Sequence, residues 1–173
     1  MILIHTKYGR FTLKQAQSVQ LDILVDLLNE AAAWIKTKGI DQWPSPMPAH
    51  WRDGIQHRLQ NGRFFLLYDS QQTAVATIAI DWRSHYWPDD GQAGYVRRMA
   101  VCDALHGCGL GTAMLDWAKG FVEENGRVYL RLDCLASNSQ LCHYYQAYGF
   151  QDCGLVEDRD YIGQKFQINL SQE

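Results

Sequence analysis

A glycine-rich segment that follows an apolar stretch is the part of the sequence best suited to chemistry. It runs from His106 to Thr112 and places Gly107, Gly109 and Gly111 at alternate positions, where a helical pattern begins. A helix N-terminus leaves amide donors unpaired and carries partial positive charge, and glycines let a ligand approach the backbone. The segment therefore predicts a phosphate or pyrophosphate site, although a glycine turn that only joins strand to helix has the same pattern.

The spacing of these glycines argues against two common nucleotide sites. A P-loop requires G-x-x-x-x-G-K-S/T, and no lysine follows Gly111. A dinucleotide fingerprint requires glycine or alanine where Thr112 stands, in an early βαβ unit with an acidic residue about 20 positions further on. Phosphoryl transfer and dinucleotide binding are both disfavoured.

The elements that must position this segment follow from hydrophobic periodicity and from turn residues. The proline-rich stretch 42–48 cannot continue a helix and predicts a stiff loop. Asn138 is a good helix N-cap and Gly149 a good terminator. The expected elements are helices over 20–38, 49–60, 109–124 and 138–148, a hairpin over 63–68 and 73–81, strands over 94–102 and 127–134, and one or two terminal strands. This order predicts one domain over residues 1–173, of the mixed α/β or α+β class on one sheet.

Two linked motifs lie between residues 99 and 150. The first is Met99-Ala100-Val101 at the end of a predicted strand, followed by His106 to Gly111. The second runs from Leu132 through Asn138 to Phe150 and ends in Y-x-x-x-G-F. Together they resemble the signature of the GNAT superfamily of N-acetyltransferases: a strand ending L-x-V, then G-x-G-x-G after an arginine or glutamine, then a strand, an asparagine and Y-x-x-x-G-F. The resemblance implies a central, mostly antiparallel, twisted sheet flanked by helices. The family's fourth and fifth strands, here those bearing Met99 and Asp133, would splay apart.

The resemblance also implies acetyl-coenzyme A as the cofactor and assigns residues to it. The backbone of Met99, Ala100 and Val101 would pair with the pantetheine arm and polarise the thioester. The pyrophosphate would be held by His106, Gly107, Cys108, Gly109, Leu110, Gly111 and Thr112. Asn138 would touch the cofactor arm, although its helix-cap role is equally consistent with its position. Because histidine replaces the usual arginine or glutamine, we expect cofactor affinity to strengthen as pH falls through about 6.5.

Transfer of the acetyl group needs a proton donor and a proton acceptor. By resemblance Tyr145 faces the sulfur, and a phenol with a pKa of about 10 can protonate the leaving thiolate. Its helical spacing alone would make it a core residue. Asp133 is the favoured base, with Asp81, His85 and a water chain as alternatives.

The acceptor is expected to be a primary amine of a small molecule. Four aromatic residues are weaker candidates for its pocket, since aromatic faces attract cations and also serve as packing: Trp34, Trp43, Trp82 and Tyr86. Alternatives are acetylation of a protein or peptide amine, and a non-catalytic module that senses acetyl-coenzyme A. The sequence does not name the acceptor or the oligomeric state, for which a monomer and a homodimer are both compatible.

Composition excludes several other classes of function. The formal net charge is -3 with no basic cluster, which argues against nucleic acid or an anionic membrane as partner. Neither a signal peptide nor an apolar span of about 20 residues is recognisable, so a cytoplasmic protein is expected. The five cysteines form no C-x-x-C pair, and Cys102, His106 and Cys108 lack a fourth ligand, so no metal site is expected.

Overall fold

The computed structural model describes residues 2–172, which divide into two compact units. The first unit comprises the chain up to Ala79 together with Arg98–Leu115. The second comprises Ile80–Arg97 together with the chain from Asp116 onward. The expectation of a single domain over residues 1–173 stays a prediction. No helix within residues 2–172 combines the length and the apolar character that a membrane span requires.

Eight strands and four α-helices make up the described chain. The strands are β1 (Ile2–Thr6), β2 (Gly9–Gln15), β3 (Phe64–Tyr68), β4 (Ala74–Asp81), β5 (Ala93–Val101), β6 (Tyr129–Leu135), β7 (Gln151–Asp158) and β8 (Tyr161–Asn169). The helices are α1 (Leu21–Thr37), α2 (Ala49–Gln60), α3 (Leu110–Glu124) and α4 (Ser139–Tyr148). The strands form one sheet in the order β1-β2-β3-β4-β5-β6-β8-β7. The mixed α/β class and the mostly antiparallel sheet that the sequence predicted are confirmed.

The first unit is built on an amphipathic helix, as the periodicity of its sequence predicted. Leu24, Leu28 and Ala31 lie on one face of α1 and enter a buried cluster with Ile55 of α2. Phe64 of β3 joins the same cluster. Spacing of three and four residues places such side chains on one side of a helix, so their burial stabilises α1 where helix propensity alone would not.

The N-terminal hairpin is a feature that the predicted order of elements omitted. β1 pairs with β2 in antiparallel register from Ile2 and Leu13 to Thr6 and Gly9. In β2, Phe11 and Leu13 are buried while Thr12 is only half-buried. This alternation is a strand signal, but it covers too few residues to stand out beside the longer helical pattern that follows.

The second unit contains the parallel pairing of β5 with β6 and the strands that follow it in the sheet. β5 and β6 pair in parallel only from Ala93 and Tyr129 to Tyr95 and Arg131. β6 pairs along its whole length with β8, and β8 pairs with β7, both antiparallel. Within the described residues the parallel ladder thus ends before the residues that the two motifs contribute.

Candidate functional site

The glycine segment exposes bare backbone at the start of α3. Gly107 and Gly109 have φ angles of +76° and +75°, in the left-handed region that favours glycine. A Cβ atom built on either residue would meet nothing within 4 Å. The helix begins at Leu110, and an α-helix in general offers no intrahelical acceptor to the amides of its first turn. The arrangement fits an anion held by backbone amides at a helix N-terminus.

Hydrogen bonds inside the turn narrow the set of amides that can serve a ligand. The amide of His106 donates to the carbonyl of Asp103 and that of Cys108 to the carbonyl of Leu105, each at 3.2 Å. Ala113 donates to the carbonyl of Gly109 at 3.0 Å and so begins the helical ladder. The predicted contact of Cys108 with a phosphate would therefore compete with a bond that already shapes the turn.

The His106 side chain is turned toward the end of β5. Its Nε2 lies 2.9 Å from the carbonyl oxygen of Val101, so that nitrogen carries the proton and donates. Its Nδ1 lies 3.3 Å from Oδ1 of Asp103, and its ring packs edge-on against Trp34 with ring centroids 4.3 Å apart. Direct contact between His106 and a pyrophosphate stays a prediction. In the observed geometry the imidazole connects the glycine turn to the end of β5 through the hydrogen bond to Val101.

The aromatic residues predicted for an acceptor pocket have packing partners. Trp43 borders the buried cluster of the first unit, and the Arg98 guanidinium lies 5.8 Å from its ring. In the second unit, Trp82 stacks on Phe121 with ring centroids 5.9 Å apart. These contacts support the packing alternative, and the substrate-binding role of Trp34, Trp43 and Trp82 stays a prediction.

The second motif places Asn138 at the first turn of α4. The Asn138 side chain is buried, and its Oδ1 accepts a hydrogen bond from the Leu141 amide at 3.1 Å. Gly149 follows the last residue of α4, and its φ of +118° is positive as a glycine terminator allows. The cap role of Asn138 is confirmed, while its contact with a cofactor stays a prediction.

Tyr145 lies in an aromatic cluster on the inner side of α4. Its side chain is 7% exposed and contacts Tyr144, Phe150 and Phe166. Burial raises the pKa of its phenol, so the hydroxyl stays protonated near neutral pH. No residue of the described chain 2–172 forms a hydrogen bond with this hydroxyl. By contrast, the Tyr148 hydroxyl donates to Asp116 at 2.6 Å.

Asp133 is held by partners that the sequence alone did not identify. Its Oδ1 forms an ion pair with the Arg97 guanidinium, and its Oδ2 accepts a hydrogen bond from the Tyr161 hydroxyl at 2.8 Å. Ser84 Oγ accepts from the second Nη of Arg97 at 2.7 Å. A charged residue inside an apolar strand needs a partner of opposite charge. The presence of Arg97 in one strand and Asp133 in the next was therefore the sequence signal that could have indicated this pair.

A second carboxylate completes a polar cluster that we call the phenol–carboxylate cluster: Tyr86, Asp133, Asp158 and Tyr161. The Tyr86 hydroxyl donates to Oδ2 of Asp158 at 3.2 Å, and its ring stacks on that of Tyr161 with centroids 5.8 Å apart. Burial, and then the hydrogen bond to Asp158, raise the pKa of Tyr86. His85 Nε2 lies 3.2 Å from the same oxygen of Asp158. The cluster gathers two carboxylates and two aromatic rings within one unit.

Gly163 of β8 allows this arrangement. A Cβ atom at Gly163 would come within 2.6 Å of the Tyr161 ring, so the ring occupies space that a side chain at this position would need. The Tyr161 hydroxyl reaches Asp133 from that position. A glycine inside a strand that permits a close approach is a recognised use of this residue.

The other residues predicted as alternatives for the base, Asp81 and His85, differ in burial. Asp81 is buried at the end of β4, and His85 is largely exposed. All five cysteines are free thiols. Among residues 2–172 there is no group of three or more histidine, cysteine or acidic side chains that could hold a metal ion.

Comparison with known proteins identifies the family. A family model described as Acetyltransferase (GNAT) family matches residues 25–150. The chain belongs to this family. The match includes both motifs and the glycine segment, so the resemblance drawn from the sequence is confirmed. The protein is therefore an N-acetyltransferase, and acetyl-coenzyme A is the donor that its family uses.

Individual relatives agree with the GNAT assignment. An uncharacterized N-acetyltransferase, YesJ of Bacillus subtilis, is 26% identical over 137 residues, which are 76% of each protein. A GNAT acetyltransferase structure from Listeria monocytogenes is 23% identical, with a TM-score of 0.77 over 97% of this chain and 99% of that one. The structure of yncA from Salmonella typhimurium, solved with its cofactor acetyl-CoA, has a TM-score of 0.68 at 14% identity and covers 94% and 95%. The similarity to these two structures shows that the chain shares their fold.

The buried phenols of this GNAT protein predict a loss of stability in alkali. The folded-state pKa of Tyr145 is raised by burial above the value of about 10 of an unfolded tyrosine. The contribution of the Tyr145 phenol to the free energy of unfolding is complete below pH ~10. It is lost as pH rises further, because the phenol ionises in the unfolded chain before it ionises in the folded protein. We expect Tyr145 alone to lower the free energy of unfolding by up to ~1.4 kcal/mol per pH unit above pH ~10.

Denaturant unfolding between pH 8 and pH 11 measures this slope. Tyr145→Phe should flatten it, whereas Tyr8→Phe, at an exposed tyrosine, should leave it unchanged. Equal slopes in the wild-type protein and Tyr145→Phe would contradict the prediction.

Proposed function

We propose that this GNAT protein transfers the acetyl group of acetyl-coenzyme A directly to the primary amine of a small molecule in the cytoplasm. The observation that carries the proposal is the bare, left-handed glycine backbone at the N-terminus of α3. It has the donors and the open approach that a pyrophosphate needs. Gly107, Gly109, Leu110, Gly111 and Thr112 would supply these donors, and His106 would hold the turn against β5.

The acetyl donor would be oriented by the end of β5. The backbone of Met99, Ala100 and Val101 would pair with the pantetheine arm, and an amide there would polarise the thioester carbonyl. The hydrogen bond from His106 to the Val101 carbonyl supports this role, because it fixes the last residue of the strand. Asn138 would contact the arm from the cap of α4.

Tyr145 would supply the proton that the leaving thiolate requires. Its hydroxyl is protonated near neutral pH and has no hydrogen-bond partner in the described chain, so no bond must break before it donates. Arg97 and Tyr161 already occupy both oxygens of Asp133, which argues against this carboxylate as the base. A water chain would then carry the amine proton.

The phenol–carboxylate cluster supports a cationic acceptor. Carboxylates and aromatic faces attract an ammonium ion. In this cluster Asp158 would supply the negative charge, because the charge of Asp133 is balanced by Arg97. Tyr86, predicted as a substrate residue, is a member of this cluster. A small amine bound there would be oriented toward the thioester and would lose a proton before it attacks. The orientation lowers the barrier of the reaction.

Thermal-shift titration with acetyl-coenzyme A, followed by a panel of amines with release of free thiol as the readout, tests the proposal. A no-amine blank is needed because the five cysteines react with thiol reagents. Turnover of small amines, with no acetylation of peptides of matched charge, is the expected result. A cofactor-induced shift without turnover on any amine would favour a sensor instead.

A substitution in the glycine segment tests the cofactor site. Gly109→Val should weaken acetyl-coenzyme A binding at least ~10-fold, because a branched side chain would cover the backbone amides. Gly126→Val is a matched control at the other end of α3, with a φ of +72° against +75° and equally open surroundings. Both variants carry the same backbone strain of ~1–2 kcal/mol. Equal affinity in the two folded variants, measured by calorimetry, would place the cofactor elsewhere.

A further inference from the structure

Two cysteine side chains of the second unit lie against each other. Cys134 is on β6 and Cys142 is in the first half of α4, and their Sγ atoms are 3.6 Å apart. A disulfide bond is about 2.05 Å long, so the two sulfurs would need to approach by about 1.5 Å. Among the described residues, this is the closest approach between two thiols that the structure records.

The two thiols differ in their surroundings. Cys134 is 2% exposed, and burial, together with the neighbouring Cys142, raises the pKa of its thiol. Cys142 is half-buried, and its Sγ lies 3.9 Å from the carbonyl oxygens of Leu135 and Ala136. An oxidant from solvent therefore reaches Cys142 first, and the shielded Cys134 is placed to react second.

We propose that Cys134 and Cys142 form a reversible, peroxide-sensitive dithiol–disulfide pair. The Cys142 thiolate attacks hydrogen peroxide, the O–O bond breaks, and a sulfenic acid and hydroxide form. The Cys134 sulfur then displaces the sulfenic oxygen, which leaves as water with the Cys134 proton. Two thiols are thereby oxidised by two electrons and one peroxide is reduced to two waters. An exogenous dithiol reverses the step by exchange.

The disulfide would join α4 to β6 covalently, close in the chain to residues with proposed catalytic or cofactor-binding roles. Asn138, which caps α4, lies between the two cysteines in the chain, and Tyr145 follows Cys142 by one helical turn. Asp133 immediately precedes Cys134. This consequence rests on the proposed function: a displacement of about 1 Å at a catalytic group can lower the rate by ~10²-fold, so the oxidised enzyme should lose most of its turnover.

Peptide mapping of the intact protein tests the bond without reference to activity. The reduced, desalted protein is treated with graded hydrogen peroxide, blocked with a thiol reagent and digested without reductant by chymotrypsin, which can cleave after Leu135 and Leu141 between the two cysteines. We expect one cross-linked species that joins the peptides of Cys134 and Cys142 and lacks two hydrogen atoms. Dithiothreitol should restore both thiols.

Matched variants keep this test falsifiable. Cys142→Ser and Cys142→Ala leave the buried Cys134 in place and should abolish the cross-link, whereas Cys153→Ser should not change it. Oxidation of Cys142 to sulfinic acid without a cross-link, or a cross-link through other cysteines, would overturn the proposal. So would a cross-link that forms only after the protein is unfolded.

Activity is measured separately on the reduced and oxidised proteins. If the reduced protein binds acetyl-coenzyme A and loses turnover only when cross-linked, the regulatory role is supported. A cross-linked protein with unchanged turnover would overturn that role. Failure of the reduced protein to bind the cofactor would count against the proposed function and leave the mapped disulfide standing.

Discussion

Tyr145→Phe should lower kcat by roughly 10²- to 10⁴-fold and leave the affinity for acetyl-coenzyme A nearly unchanged. The substitution keeps the ring, which contacts Phe150 and Phe166, and deletes only the hydroxyl. Because no residue of the described chain hydrogen-bonds to that hydroxyl, its removal leaves no buried partner unsatisfied. Loss of activity with retained stability would therefore show that the hydroxyl acts as a proton donor, because the packing of the ring is unchanged.

The adjacent tyrosine provides the control for this experiment. Tyr144 lies one position earlier on α4, about 100° around the helix, and its ring centroid is 5.4 Å from that of Tyr145. Tyr144→Phe should retain most of the turnover. Steady-state kinetics must use an amine for which the chemical step limits the rate. Wild-type turnover in Tyr145→Phe under that condition would make Tyr145 a core residue only.

The parts of the fold that the sequence predicted are those whose signals are local. The helix over 49–60 coincides with α2, and the predicted cap and terminator of α4, Asn138 and Gly149, both act as expected. Capping, glycine conformation and helical periodicity depend on residues within one or two turns. The glycine segment was recognisable for the same reason, since its strand, turn and helix follow one another in the chain.

The parts that the sequence did not predict depend on residues far apart in the chain. Asp133 was predicted as the base, and its pairing with Arg97 and Tyr161 arises from the register of β6 with β8 and the ladder between β5 and β6. The His106 ring likewise packs against Trp34 of α1, which is distant in the chain. A family pattern gives the position of a side chain but not the direction in which it points.

Among the polar interactions of the second unit, loss of the Arg97–Asp133 pair should lower the free energy of unfolding most. The Asp133 side chain is 8% exposed and that of Arg97 18%, so removing one partner leaves a charge that water cannot reach. Arg97→Met, which preserves side-chain length, should lower the free energy of unfolding by ~3 to 5 kcal/mol. Denaturant unfolding at neutral pH measures this change.

An exposed pair and a double mutant separate the cause of that loss. Arg52 forms an ion pair with Asp22 whose side chains are 44% and 80% exposed, so Arg52→Met should cost less than ~1 kcal/mol. Adding Asp133→Asn to Arg97→Met removes the stranded charge and should recover part of the stability, which gives a coupling energy from the double-mutant cycle. A cost for Arg97→Met as small as that for Arg52→Met would show that Asp133 is solvated and available as a base. The expected larger cost, with turnover retained in the folded double mutant, would instead make Asp133 a structural anchor and exclude it as the base that takes the amine proton.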